Sequence, residues 1–291
     1  MDLTAIYLLG LPAVLYARAV RILAGRGYRV PRWQQASWYG GLFLMGVALL
    51  SPLDSLGETD LLSAHMAQHL LIADLSAPLL VIGLRSPVYA FILPRALFVE
   101  MARSRRLRAT FRFLKQPLVA APLWVLTLYG WHMSFAYEAA LRYPVLHALQ
   151  HQTFILASLL VWVSVLEPAR RRVPGELWKI AHIVGTRFAG MFLGMAFVIL
   201  QTPIYEGFYG RRALEHGLTP AEDQQIAGGL MLGLDFLVMM GALIFFFMRA
   251  AEDADRRQAA EDRARGIPAP VPGGEVRLGW PETTRLTGRV D

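Results

Sequence analysis

The sequence predicts an all-α, polytopic membrane helix bundle: seven transmembrane helices, with the N-terminus outside and the C-terminus in the cytoplasm. Three observations carry this. Of 291 residues, 55% are hydrophobic and 18% charged, against about 25% charged in soluble domains. The apolar residues gather in blocks close to the roughly 20 residues that cross a hydrocarbon core. The loops between these blocks alternate in basic content, as the positive-inside rule requires.

The blocks are 3–23, 36–52, 61–83, 117–134, 145–166, 180–204 and 226–249. The first lacks a basic start and carries Arg18 and Arg21 at its far end, so it reads as a retained helix entering from outside. Arg26, Arg29 and Arg32 follow on the inner side. Asp54, Glu58 and Asp60, without a basic residue, mark the next loop as outer. The third loop holds Arg103, Arg105, Arg106, Arg108, Arg112 and Lys115, and its apolar piece Val88 to Leu93, between Pro87 and Pro94, reads as interfacial or re-entrant. Glu138 and Arg142 lie outside, Arg170, Arg171 and Arg172 inside. The sixth loop mixes Arg211 and Arg212 with Glu206, Glu215, Glu222 and Asp223. Thr219, Pro220 and Glu222 form a capping box with proline at the first helical position. Two regions result: a seven-helix transmembrane domain over 1–252 and a cytoplasmic tail over 253–291, charged at first and then Pro/Gly-containing.

The net charge of +7 (29 Lys+Arg, 22 Asp+Glu) belongs to the cytoplasmic loops. No basic patch interleaved with aromatics occurs in a soluble stretch, so nucleic-acid binding is excluded. There is no cysteine, hence no disulfide, thiolate metal site or thiol nucleophile. Any metal has to be held by His, Met, Asp or Glu.

The histidines are the main functional signal. His65 and His69 in the third block, and His147 and His151 in the fifth, are both i, i+4 pairs, each projecting from one helical face. Both blocks read His-x-x-Gln-His with a serine seven residues on, Ser76 and Ser158, sharing that face. They run in the same direction, as equivalent helices facing a common centre would. Each pair lies within about two turns of the outer end of its block. His132 closes the antiparallel fourth block at the same level. Polar groups inside a bilayer face a cavity or one another, so this layer reads as a shared metal site. His65, His69, His147 and His151 are its expected ligands, and His132 a fifth or an entry ligand. Met45, Met66 and Met133 are the nearby thioethers, which favour Cu(I), with Met66 and Met133 the candidate ligands; imidazole serves copper, zinc and iron. His182 and His216 fall outside this layer, at the inner interface and in the outer sixth loop.

Three further charges lie within the blocks. Asp74 faces nearly opposite to His65 and His69 and matches Arg187 in depth, which predicts a structural ion pair. Asp235 falls on a stripe with Gln224, Gly228 and Met231, which either lines an ion path or packs against the third block, packing being the preferred reading. Gly190, Gly194, Gly228 and Gly229 allow close helix approach.

Several segments together resemble the CtaG family of seven-span cytochrome c oxidase assembly factors. They are His65-Met66-Ala67-Gln68-His69, Trp131-His132, Tyr137-Glu138-Ala139-Ala140-Leu141 leading to His147-Ala148-Leu149-Gln150-His151, and Asp223-Gln224-Gln225-Ile226-Ala227-Gly228-Gly229. The resemblance covers about residues 10–250. The cysteine-bearing, single-span copper chaperone that shares the gene name is excluded by composition. The resemblance implies a bacterial inner-membrane protein, not an enzyme, that supports maturation of the oxidase copper centres. Its implied partners are oxidase subunits or a copper chaperone, besides the lipid bilayer. The residues themselves leave alternatives open: a zinc-dependent intramembrane hydrolase, for which no His-Glu-x-x-His exists, a bis-His haem protein, or a diiron oxidase with few ligands.

Overall fold

The computed structural model describes residues 3–166 and 177–266. Every regular element among them is helical. In chain order these are α1 (Leu3–Gly25), α2 (Arg32–Leu50), α3 (Pro52–Thr59), α4 (Leu62–His69), a π-helical segment (Leu70–Ser76), α5 (Ala77–Gly83), α6 (Tyr89–Ile92), α7 (Arg95–Arg103), α8 (Arg105–Leu114), α9 (Pro117–His132), α10 (Ser134–Arg142), α11 (Pro144–Leu166), α12 (Leu177–Ile199), α13 (Glu206–Tyr209), α14 (Arg212–Glu215) and α15 (Pro220–Ala264). The chain divides into two compact units, Met1–Phe247 and Met248–Asp291. Arg170 to Arg172 and the Pro/Gly-containing piece after Gly266 lie outside the described residues.

Four helical runs are long and apolar enough to cross a membrane: Leu62–Gly83, Pro144–Leu166, Leu177–Ile199 and Pro220–Ala264. Two more qualify as bent pairs, α2 with α3 at 50° and α9 with α10 at 72°. The architecture is therefore an all-α membrane bundle with four such runs among the described residues, six if each bent pair is one span. The predicted blocks 36–52 and 117–134 are each only the longer arm of a bent pair.

Each bend has a local cause. Proline disfavours helical backbone in the residue before it. Ser51, ahead of Pro52, is extended (φ −94°, ψ 171°), and its hydroxyl accepts from Leu53 N at 3.2 Å to start α3. At the second bend Met133 is extended (φ −67°, ψ 133°). The His132 carbonyl leaves the helical ladder there and accepts from Tyr205 Oη at 2.6 Å. The predicted capping box of α15 is present: Glu222 N donates to Thr219 Oγ1 at 3.2 Å, and Thr219 N to Glu222 Oε2 at 2.8 Å. The piece between Pro87 and Pro94 is the single-turn helix α6, with Val88 fully buried.

In the first unit, the run α4–π–α5 packs against α2 on one side and α11 on the other, and α9 lies against α11 and α12. Its centre is the only π segment among the described residues. Ser76 Oγ donates to Leu71 O at 2.7 Å within that run, and Ser158 of α11 donates to the Ala73 carbonyl. The two serines of the repeated pattern thus fasten the π segment. Trp131 Nε1 donates to Thr153 Oγ1 at 2.8 Å, tying α9 to α11. A Cβ on Gly228 would stand 2.5 Å from Gly194 O, so only glycine lets α12 and α15 meet this closely. In the second unit α15 continues to Ala264, with an exposed Arg256–Glu252 pair at 3.5 Å.

Candidate metal centre

The histidines converge because two distant segments fix the start of α4. Asp223, at the head of α15, accepts from Leu62 N at 2.7 Å and from Ser63 N at 3.0 Å. It caps the otherwise unpaired amides of a helix N-terminus from another helix. Against the same turn lies Gly57 of α3, where a Cβ would sit 2.9 Å from His65 N and Cα. Gly57 thus brings its carbonyl to His65 Nδ1, at 3.2 Å. On α11, His147 Nδ1 meets Glu58 Oε1 at 2.8 Å.

Both contacts set the tautomer. A carbonyl oxygen only accepts, so Nδ1 of His65 carries the proton and Nε2 keeps its lone pair. A Glu58 carboxylate imposes the same on His147. This is the arrangement that orients histidine ligands: one ring nitrogen hydrogen-bonded outward, the other presented to a metal.

The four rings form one buried group. Centroids lie 4.2 Å apart for His65–His69, 4.3 Å for His147–His151, 5.1 Å for His69–His151, and 5.4 Å for His65–His147. One ligand nitrogen each from His65, His69 and His147 lies within 4.8 Å of the other two. His65 Nε2, both nitrogens of His69, His147 Nε2 and His151 Nε2 are buried without a hydrogen-bond partner. One unsatisfied buried polar atom costs about 1–3 kcal/mol, and five in one pocket call for a common ligand. A tetrahedral ion with bonds of 2.0–2.1 Å needs nitrogens about 3.4 Å apart. The rings have to draw in by up to about 1.4 Å, within reach of side-chain rotations. The donor set therefore fits a first-row transition ion.

A chain of tyrosines borders the site. Tyr209 Oη donates to Gly57 O at 2.7 Å and meets Tyr137 Oη at 3.2 Å; Tyr137 stacks on Tyr205 at 4.0 Å. Burial pushes the phenols of Tyr205 and Tyr209 above their ordinary value, so both remain protonated donors.

Two expected ligands are placed differently. His132 is buried but lies outside the three-histidine group: its Nδ1 meets Leu128 O at 2.7 Å and its Nε2 faces Met66 Sδ at 3.4 Å. Met66 is buried and lines the same cavity as His132. Met133 is 55% exposed, at the extended break that follows α9. His182 Nε2 meets Ser164 Oγ at 3.0 Å, and His216 Nε2 meets Asp60 Oδ2 at 3.2 Å, both away from the group.

The deeper charges also depart from expectation. Arg187 pairs with Asp74 as expected, but its Nη1 also reaches Asp235 Oδ1 at 2.8 Å, and its guanidinium lies 4.6 Å over Trp124. Asp235 thus packs against Gly190 of α12 and is also an ion partner of Arg187. A cavity of about 30 Å³ is lined by Met66, His69, His132, Asp74 and Asp235 among others. Asp74 therefore shares a wall with His69, although an α-helix would set them about 140° apart. The π segment between them, with its i to i+5 repeat, swings Asp74 round. Glu58, Gly57 and the tyrosines escaped the sequence reading: Glu58 and His147 are 89 positions apart, with no local pattern linking them.

Residues 14–253 match the cytochrome c oxidase caa3 assembly factor family (Caa3_CtaG). The chain belongs to that family. The Caa3_CtaG match includes all four clustered histidines and both of their supports, Gly57 and Glu58. Two uncharacterized proteins, of Mycobacterium bovis and Mycobacterium tuberculosis, are each 23% identical over 267 residues, covering 86% of this chain and 39% of theirs. The chain thus spans about two-fifths of the length of these relatives. No solved structure matches.

Proposed function

We propose that this chain is a copper-binding assembly factor of cytochrome c oxidase, set in a bacterial inner membrane. It crosses seven times, with its N-terminus outside, and holds copper near the periplasmic face. His65, His69 and His147 are the ligands and His151 completes the set. The ion serves maturation of an oxidase copper centre, in contact with an oxidase subunit or a copper chaperone.

The observation that carries this reading is the group of converging, unpartnered imidazole nitrogens in a chain of this family. Imidazole alone suits copper, zinc or iron, and the family's client selects copper. Rings in mutual contact support a single ion rather than a planar macrocycle between them.

The test is metal content. Detergent-purified protein incubated with copper and desalted should retain about one or two equivalents, and His65→Leu/His147→Leu should lose at least one. Copper at background in the unaltered protein, or equal loading in the variant, overturns the proposal.

A further inference from the structure

The cavity beneath the histidine group is furnished with its own donors. The Leu128 carbonyl only accepts, so the proton of neutral His132 sits on Nδ1 and the Nε2 lone pair points at Met66 Sδ, 3.4 Å away. A thioether carries lone pairs and no hydrogen. Two lone pairs therefore face each other with no proton between them, inside a buried apolar wall. A tetrahedral ion with a nitrogen bond near 2.0 Å and a sulfur bond near 2.3 Å separates those donors by about 3.5 Å. His132 and Met66 already stand at that separation. The third donor is His69, 6% exposed, with both ring nitrogens unpartnered and its ring on the wall of the same cavity. Asp74 and Asp235, the two acidic partners of Arg187, line the same cavity.

The geometry points to a second metal site, built from His132 Nε2, Met66 Sδ and His69, that takes a soft monovalent cation of the Cu(I) class. It differs in chemistry from the all-imidazole group above it, since a thioether selects soft ions. His69 belongs to both sets of donors, so an ion passes from one to the other through a ligand they share. This inference rests on the metal-binding reading only for that hand-over; the nitrogen–sulfur site stands on its own geometry.

The experiment uses the full chain in detergent, loaded with Cu(I) under reductant and read by metal content and copper-edge X-ray absorption. Unaltered protein should hold two Cu(I) per chain, with a sulfur scatterer near 2.3 Å. Met66→Leu, which conserves volume, and His132→Phe should each lose one equivalent and the sulfur scatterer, while keeping an all-nitrogen copper. His65→Leu/His147→Leu should keep the sulfur-ligated copper. Circular dichroism and thermal unfolding of Met66→Leu should match the unaltered chain. Bound copper without any sulfur scatterer overturns the inference and leaves the proposed function standing. A single equivalent that Met66→Leu and His65→Leu/His147→Leu both abolish shows one merged site and also overturns it. Sulfur-ligated copper alone, unaffected by loss of His65 and His147, supports the inference and overturns the proposed imidazole site instead.

Discussion

The histidine group and the Asp74–Arg187–Asp235 triad each send residues to one cavity, His69 from the first and Asp74 and Asp235 from the second, and they answer burial in different ways. In the triad, opposite charges meet: one fully buried guanidinium faces two carboxylates and lies over Trp124. In the histidine group, like atoms meet: ring nitrogens converge on one another and five of them bond to nothing. In the first, Arg187 Nη1 bonds to both carboxylates and ties the π segment, α12 and α15 together, while Nε and Nη2 have no hydrogen-bond partner. The second leaves its valence open. Burial of polar groups thus marks structure where partners are complementary, and binding where they are the same.

Replacing Arg187 should break this comparison most severely. Arg187→Met leaves two carboxylates buried without their cation, and losing one member of a buried ion cluster costs about 3–5 kcal/mol. Thermal unfolding in detergent should fall sharply or the protein fail to accumulate. By contrast His69→Leu/His151→Leu removes three buried nitrogens with no partner, a change that is nearly neutral for shape-matched apolar groups. Equal losses of stability in the two variants would erase the distinction. Glu58→Gln comes next. It weakens the contact that orients His147, and such supports are worth about 10–100-fold in metal affinity. A copper competition titration that leaves affinity unchanged would remove Glu58 from the site.

The smallest effect belongs to the exposed rim. Bonds from Thr59 and then His216 hold the Asp60 carboxyl below its ordinary value. Its unfolded value lies near 3.9, so its stabilisation is complete above that pH and disappears as pH falls through the lower folded value. Asp60→Asn should flatten only that acid limb of the stability profile, with copper loading unchanged. An altered copper content would instead connect this rim to the histidine group.

The four clustered rings were legible because i, i+4 spacing is a local property, and block direction set a common depth for both pairs. The Asp74–Arg187 pair followed from depth in the same way. Met133 was not legible, since the break after His132 depends on Tyr205 drawing off a carbonyl 73 positions away. Asp74 facing His69 was not legible either. A π turn shifts register without leaving a composition signal, and Ser158 on another helix fastens it.

The sequence by itself determined which residues are apolar enough for lipid, which lie at one depth, and that imidazole and thioether are the available donors. Those follow from spacing along single helices. The tertiary structure alone decided which nitrogens carry protons, that Glu58 and Gly57 support the rings, and that His132 turns to Met66 rather than to the other histidines. Each depends on where a second segment stands, and burial makes that placement costly to get wrong.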